Sequence, residues 1–182
     1  MITMKVLVAC EESQTVCKAV LISIKPKWCE LIANGKKSVE VRKTKPKLKP
    51  PFKCYIYCTK AKRDNYFWVG KRYAYVDDRS HNAFDKNGNG KVIGEFICSD
   101  IETLRSNTIF NAPALYAQSC MTREEYFEYA ADNTVYLWYI SNLKIYGAPK
   151  ELGNFTGLRE TKFGAEPVKI VRPPQSWVYT EG

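Results

Sequence analysis

The chain has 182 residues, 45% of them hydrophobic and 13% aromatic, which suffices for one sizeable core and excludes a low-complexity disordered chain. None of its apolar runs, Ala19 to Ile24 among them, approaches the roughly 20 residues of a membrane helix. The five-residue run Val6 to Cys10, broken by Glu11 and Glu12, is too short for a signal peptide. A single soluble, cytoplasmic protein with no membrane partner is expected.

The formal net charge is +9, and it is unevenly spread. Residues 25–72 carry 15 Lys and Arg against Glu30, Glu40 and Asp64, a local +12, so the remainder sums to −3. Such a concentration suits a polyanion such as a phosphate backbone, or else simply solvates the surface. Trp28, Tyr55, Tyr57, Tyr66, Phe67, Trp68, Tyr73 and Tyr75 are interleaved with it, as stacking platforms or as core.

In chain order, Val20–Ile24 reads as a buried strand. Pro26 suits a helix first turn, Trp28, Leu31 and Ile32 recur at helical spacing, and Asn34-Gly35 ends the helix. Lys37–Lys43 alternates as a strand with Val39 and Val41 inward. After Pro46, Pro50 and Pro51 comes the strand Phe52–Thr59. Residues 60–90 read as an insertion with a hairpin, Tyr66–Val69 and Tyr73–Val76, and a polar loop. Lys91–Asp100 is a further strand. Thr122 and Glu125 form a capping box for a helix reaching Ala131. Val135–Tyr146 is a long strand, Pro149–Leu152 a helical turn, and Arg172–Tyr179 a turn with a closing strand.

Seven cysteines include no CxxC, and His81 is the single histidine, so small buried thiols are expected and no metal. Asp85–Gly90 copies half of a calcium loop, but the twelfth position, which needs a bidentate glutamate, is Phe96. A turn is the simpler reading.

On the strand from Lys37, Ser38, Glu40 and Arg42 share a face. Glu40 and Arg42 make either a surface ion pair, contributing under about 1 kcal/mol, or a cleft pair able to grip a phosphate or a base edge. Lys36 and Arg42 would lower the Lys37 pKa by like-charge repulsion. Lys25 and Lys27 flank Pro26 at a helix N-terminus, where phosphate can bind. Trp28 is core or stacking platform. The rigid turn Arg172-Pro-Pro-Gln-Ser-Trp177 either lines the same cleft through Arg172, Gln175 and Trp177 or plugs the core with Trp177. The basic loop from Lys43 to Lys53 is a second candidate surface.

Gly35-Lys36-Lys37-Ser38-Val39-Glu40-Val41-Arg42 resembles the GxKxxExR signature of ASCH domains, the activating-signal-cointegrator homology family. Ile22–Glu30, Gly90–Phe96, Tyr139–Tyr146 and Arg172–Trp177 resemble bacterial and phage members in the same order. The resemblance implies an α+β, mainly β, PUA-like β-barrel with two or three small flanking helices over residues 21–182. It further implies a cleft where the signature gathers, binding RNA or a modified nucleotide, with DNA as the lesser alternative. Some small members resemble hydrolases of acetylated cytidine or RNA. Lys37 matches their lysine, Glu40 stands where they carry threonine, and Tyr139 stands where many carry histidine.

Residues 4–20 resemble the opening strand and turn of phage DNA-methyltransferase-like proteins, which makes residues 1–20 an appendage. The glycine-rich turn of such enzymes is absent, and no cofactor is expected. Three functions therefore stand: binding of RNA or a modified nucleotide through the basic cleft, a small hydrolase using Lys37 and Glu40, and a phage accessory protein that binds a host protein.

Overall fold

In the computed structural model, the described residues are 18–60, 90–105, 112–131 and 133–182, with the backbone of 66–69 and 72–75. The methyltransferase-like residues 4–17, Val76, His81 and the half calcium loop up to Asn89 lie outside them.

Strand β1 (Lys18–Ile24) leads into helix α1 (Pro26–Ala33). Pro26 occupies the first turn, and Asn34 N–H caps the far end on the Glu30 and Ile32 carbonyls. Gly35 then takes φ 71°, a conformation favourable to glycine, and aims the chain into β2 (Val39–Arg42). β3 (Phe52–Cys58) and β6 (Val92–Leu104) follow, with a separate two-stranded ribbon of β4 (Tyr66–Val69) and β5 (Arg72–Tyr75) between them. α2 (Pro113–Ser119) and α3 (Arg123–Ala130) precede β7 (Val135–Lys150); β8 (Thr156–Thr161), β9 (Gly164–Lys169) and β10 (Trp177–Glu181) complete the chain.

Eight strands form one mixed sheet in the order β2-β7-β6-β3-β1-β10-β8-β9. Only β1 and β3 run parallel; the other pairs are antiparallel. β1 is buried on both faces, which explains its apolar run, interrupted only at Ser23: Val20, Ile22 and Ile24 enter the main core with Ile56, Phe96 and Trp138, while Ala19 and Leu21 join Tyr55, Tyr57 and Ile170 on the other side. A second core lies under α2 and α3, where Val39, Val41 and Leu137 meet Leu115, Tyr126 and Ala130.

Three expectations need correction. Among the described residues the sheet is not closed into a barrel: β2 and β9 are its edges. β9 is exposed and carries Pro167, which has no N–H to extend a ladder; β2 has only four residues, and Ser38 N–H just before it bonds the Gln118 carbonyl at the end of α2 instead. The helical turn falls at Leu152–Asn154 rather than 149–152, because Lys150 still pairs with Val92. Lys18–Val20, assigned to the appendage, are integral to β1, pairing with Glu181, Thr180 and Tyr179. Helix α2 and the hairpin β8–β9 were not foreseen.

Candidate functional site

The signature lysine Lys37, the glutamate Glu40 and the arginine Arg42 come together at the base of a cleft of about 730 Å³. β2 explains the convergence. Its alternate residues Val39 and Val41 face the second core, so Glu40 and Arg42 face the opposite way, towards α1 and the β1 end. All four β2 residues are buried. The Glu40–Arg42 pair is thus a buried one, and the alternative of a surface pair is overturned: Lys37, Glu40 and Arg42 are 3%, 5% and 9% exposed.

Glu40 sits between two cations. Arg42 Nε is 3.1 Å from its Oε1, and Lys37 Nζ is 3.4 Å from its Oε2. Both cations are also held by backbone: Lys37 Nζ donates to the Ser119 carbonyl at 2.6 Å, and Arg42 Nη2 donates to the Ser23 carbonyl. Even so, Glu40 Oε2 and Arg42 Nε lack a partner in hydrogen-bond geometry. The Arg42 Nε–H points off the line to Oε1, so that contact is electrostatic rather than a hydrogen bond. A buried acceptor and a buried donor therefore stand side by side at the cleft base.

Burial holds the Lys37 ammonium below its usual pKa of 10.5, and Glu40 opposes that shift only in part. The repulsion expected from Lys36 is not the cause. Lys36 is exposed outside the cleft, and Arg42 adds a smaller push than burial does.

The walls come from three elements. α1 supplies Trp28, whose ring lies 4.9 Å from Lys37 Nζ and 4.4 Å from Lys27 Nζ. α3 supplies Glu125, Glu128 and Tyr129, which share a helical face by their spacing. The third wall joins Ser23, Gln175 and Ser176. Here Ser23 Oγ donates to the Pro174 carbonyl at 2.7 Å, and Ser23 N–H donates to the Ser176 carbonyl at 2.8 Å, locking the Pro-Pro turn to β1. At the mouth, Lys27 Nζ pairs with Glu125 at 2.7 Å, which holds the Glu125 carboxyl below its usual range. Glu125 also completes the capping box with Thr122.

Of the residues singled out from sequence, Lys25, Trp28, Lys37, Glu40, Arg42 and Gln175 line the cleft. Lys27 stands at its mouth. Gly35, Lys36 and Ser38 are exposed and lie outside the lining. Arg172 and Trp177 border a neighbouring hollow instead. Trp177 packs at 6.4 Å from Trp138 and 5.3 Å from Tyr179, ring centre to ring centre, and its Nε1 donates to Thr44 Oγ1 at 3.0 Å. Tyr129 and Met121 were missed, and Lys43 and Thr44, expected on the second basic surface, also line the cleft. For α3, the sequence signalled the helix but not which face meets the cleft.

Among the described residues, no group of His, Cys, Asp or Glu is arranged to hold a metal, and no helix is long and apolar enough to cross a membrane. Cys29, Cys54, Cys58 and Cys98 are buried thiols outside any disulfide, and Cys120 is half-buried.

No family model and no curated protein matches the sequence. Solved structures do match. A serine-to-alanine variant of the ASCH protein from Zymomonas mobilis superposes with a TM-score of 0.51 at 16% identity, over 90% of this chain and 88% of that one. A tyrosine-to-phenylalanine variant gives 0.49 at 16% identity over 87% of each chain. The unsubstituted ASCH protein gives 0.49 at 17% identity, over 87% of this chain and 85% of that one. This chain therefore has the fold of an ASCH domain, the α+β, mainly β, arrangement that its signature resembles.

Proposed function

We propose that the cleft binds one nucleotide unit of RNA, or a modified nucleotide, with its base directed at Glu40 and Arg42. The observation that carries this reading is that Glu40 Oε2 and Arg42 Nε, although beside opposite charges, are buried without hydrogen-bond partners in residues that line the cleft. A buried polar group without a partner costs about 1–3 kcal/mol, and more when charged. A ligand edge offering a donor beside an acceptor recovers that cost, and nucleobase edges have this pattern. The cleft volume falls in the range of small-molecule sites, roughly 300–1,000 Å³. Trp28 supplies an aromatic wall, and Lys25 and Lys43 supply cations for a phosphate.

The test is a titration of nucleosides, modified nucleosides and short RNAs into the protein, followed by backbone-amide shifts. Binding should perturb Lys37 to Arg42, and Glu40→Gln, assayed well below its melting temperature, should weaken it at least about tenfold, or about 1.4 kcal/mol. Perturbations confined to residues away from the cleft would overturn the reading.

A second reading, a small hydrolase, is favoured by one observation: the Lys37 amine, with its pKa lowered by burial, lies 3.4 Å from Glu40. Such a pair can pass a proton between amine and carboxylate. Lys37→Arg separates the two readings, because it keeps the charge needed for binding and removes a titratable amine.

A further inference from the structure

The loop after β2 repeats lysine at every second position, Lys43, Lys45, Lys47 and Lys49, with no acidic residue from 43 to 53. The structure gives this repeat a direction. All four lysines are exposed, whereas Pro46 is buried and Leu48 packs on the main core. Four ammonium groups are therefore presented on the outer side of one short segment.

Two features set this segment apart from a merely solvated face. Among the described residues, no carboxylate comes within ion-pair distance of these four amines; Glu160, which senses Lys47, is bonded to Lys18. The segment is also fastened. Thr44 Oγ1 accepts from Trp177 Nε1 at 3.0 Å, and Lys47 N–H donates to the Tyr179 hydroxyl at 2.8 Å. A fixed array of cations loses less freedom on binding than a floppy one.

Aromatic faces accompany the charges. Lys43 Nζ lies 5.2 Å from the centre of the Tyr129 ring, and Lys45 Nζ 5.2 Å from that of Tyr136. Both rings are half-buried, hence rigid, and half-open. Cations beside aromatic faces are the means by which proteins track a single strand, with phosphates on the former and bases on the latter. The segment is also continuous with the cleft, because Lys43, Thr44 and Tyr129 belong to its lining.

We infer that the outer face of residues 43–49 is a rail for the backbone of single-stranded RNA, one nucleotide of which enters the cleft. This inference rests on the nucleotide reading of the cleft and deepens it, since the ligand becomes a polymer rather than a free nucleoside. A duplex is a poorer fit, because a base must leave its stack to enter a pocket.

The test compares a mixed-sequence single-stranded RNA of about ten nucleotides with a mixture of ribonucleoside monophosphates, on the parent and on a K45Q/K47Q/K49Q variant. These three lysines are exposed and outside the cleft, so folding should be retained; a thermal melt checks this. In the parent, the RNA should bind at least about tenfold more tightly than the monophosphates. The variant should keep monophosphate binding and lose most of the RNA advantage. Its salt slope should fall by about 2, three contacts at roughly 0.7 each. Unchanged RNA affinity and slope in the variant would overturn the rail, as would a parent that prefers RNA no more than monophosphates or binds neither. Polyglutamate competing as well as RNA would also overturn it, making the face one for acidic protein. The cleft reading fails separately, if monophosphates leave the Lys37–Arg42 amides unperturbed while the rail result holds.

Discussion

Arg42 Nε lies 3.1 Å from Glu40 Oε1, while Oε2 of the same carboxylate, 3.4 Å from Lys37 Nζ, is buried without a hydrogen-bond partner. Both oxygens are thus committed to local charge balance, yet Oε2 keeps its hydrogen-bonding capacity unfilled. Both residues are at least nine-tenths buried, so neither can be removed cheaply. Glu40→Gln leaves Arg42 with its charge uncompensated, which for a broken buried pair costs about 3–5 kcal/mol. At the lower end, a domain of this size should lose roughly 10 °C in Tm. Arg42→Lys keeps the charge and should cost less stability, yet lose ligand affinity comparably, because the planar fork is gone. Calorimetric melts and binding isotherms of both variants check this. A Glu40→Gln variant as stable as the parent would show that the charges are solvated.

The signature and its neighbours were legible because their rules are local. Pro26, Gly35 and the Thr122–Glu125 capping box each mark a helix boundary through backbone geometry, and all three lie where the sequence placed them. The alternation of Val39 and Val41 correctly set the face of β2 that Glu40 and Arg42 share. Alternation could not reveal that both faces are covered, since a strand with a core on one side and a cleft base on the other reads like a half-exposed one when its second face is charged. The β8–β9 hairpin was invisible because its burial is shallow: β9 is mostly exposed, so it has no apolar rhythm to follow. Tyr129 was missed for a different reason. Its helix was foreseen, but the weak amphipathic pattern of Arg123–Ala130 does not say which side meets the cleft.

The boundary at β1 gives a test of the N-terminal segment. Lys18 pairs with Glu181, and Val20 pairs with both Tyr179 and Cys54. Deleting residues 1–17 leaves these pairings intact and should preserve a cooperative melt. Deleting 1–20 also removes Ala19 and Val20, both fully buried. Losing Val20 alone forfeits roughly 2 kcal/mol of burial, so the longer deletion should melt about 5 °C or more below the shorter one. Equal melting temperatures would show that β1 does not need its first three residues.

Two glycines of neighbouring strands should respond to alanine in opposite ways. A Cβ on Gly94 of β6 would meet the Lys144 carbonyl oxygen at 2.5 Å and Ile145 Cα at 3.2 Å. Those are backbone atoms of β7, so the strands must part, and Gly94→Ala should cost about 1–3 kcal/mol. At Gly147 of β7 nothing lies within 4 Å of the added carbon. Gly147→Ala should be neutral or stabilise by up to about 1 kcal/mol through the unfolded chain. Chemical denaturation of the two variants checks the order. A reversed order would show that β6 and β7 are not paired in this register.

The Lys37 amine gives a pH signature that separates burial from simple surface charge. Because burial lowers its pKa in the folded protein below 10.5, there is a window in which the folded state has released the proton and the unfolded state still holds it. Where the unfolded state binds more protons, stability rises with pH. The Lys37 contribution should therefore increase as pH climbs through the folded pKa towards 10.5, and be lost as pH falls below it. Buried thiols act in the opposite sense: Cys98, pushed up to about 12 by burial, destabilises the fold above 9.0 as the unfolded thiol ionises. The measurement is therefore a difference, the parent against Lys37→Met, in which the thiol effect cancels. The parent's stability relative to the variant should grow from neutral pH to about pH 10, by about 1.4 kcal/mol for each unit of lowered pKa. If the hydrolase reading holds, the rate should rise with pH through that same pKa, as expected of an amine acting as base. A difference that stays flat with pH would mean that Lys37 keeps its ordinary proton affinity and supplies no additional free amine to act as a base.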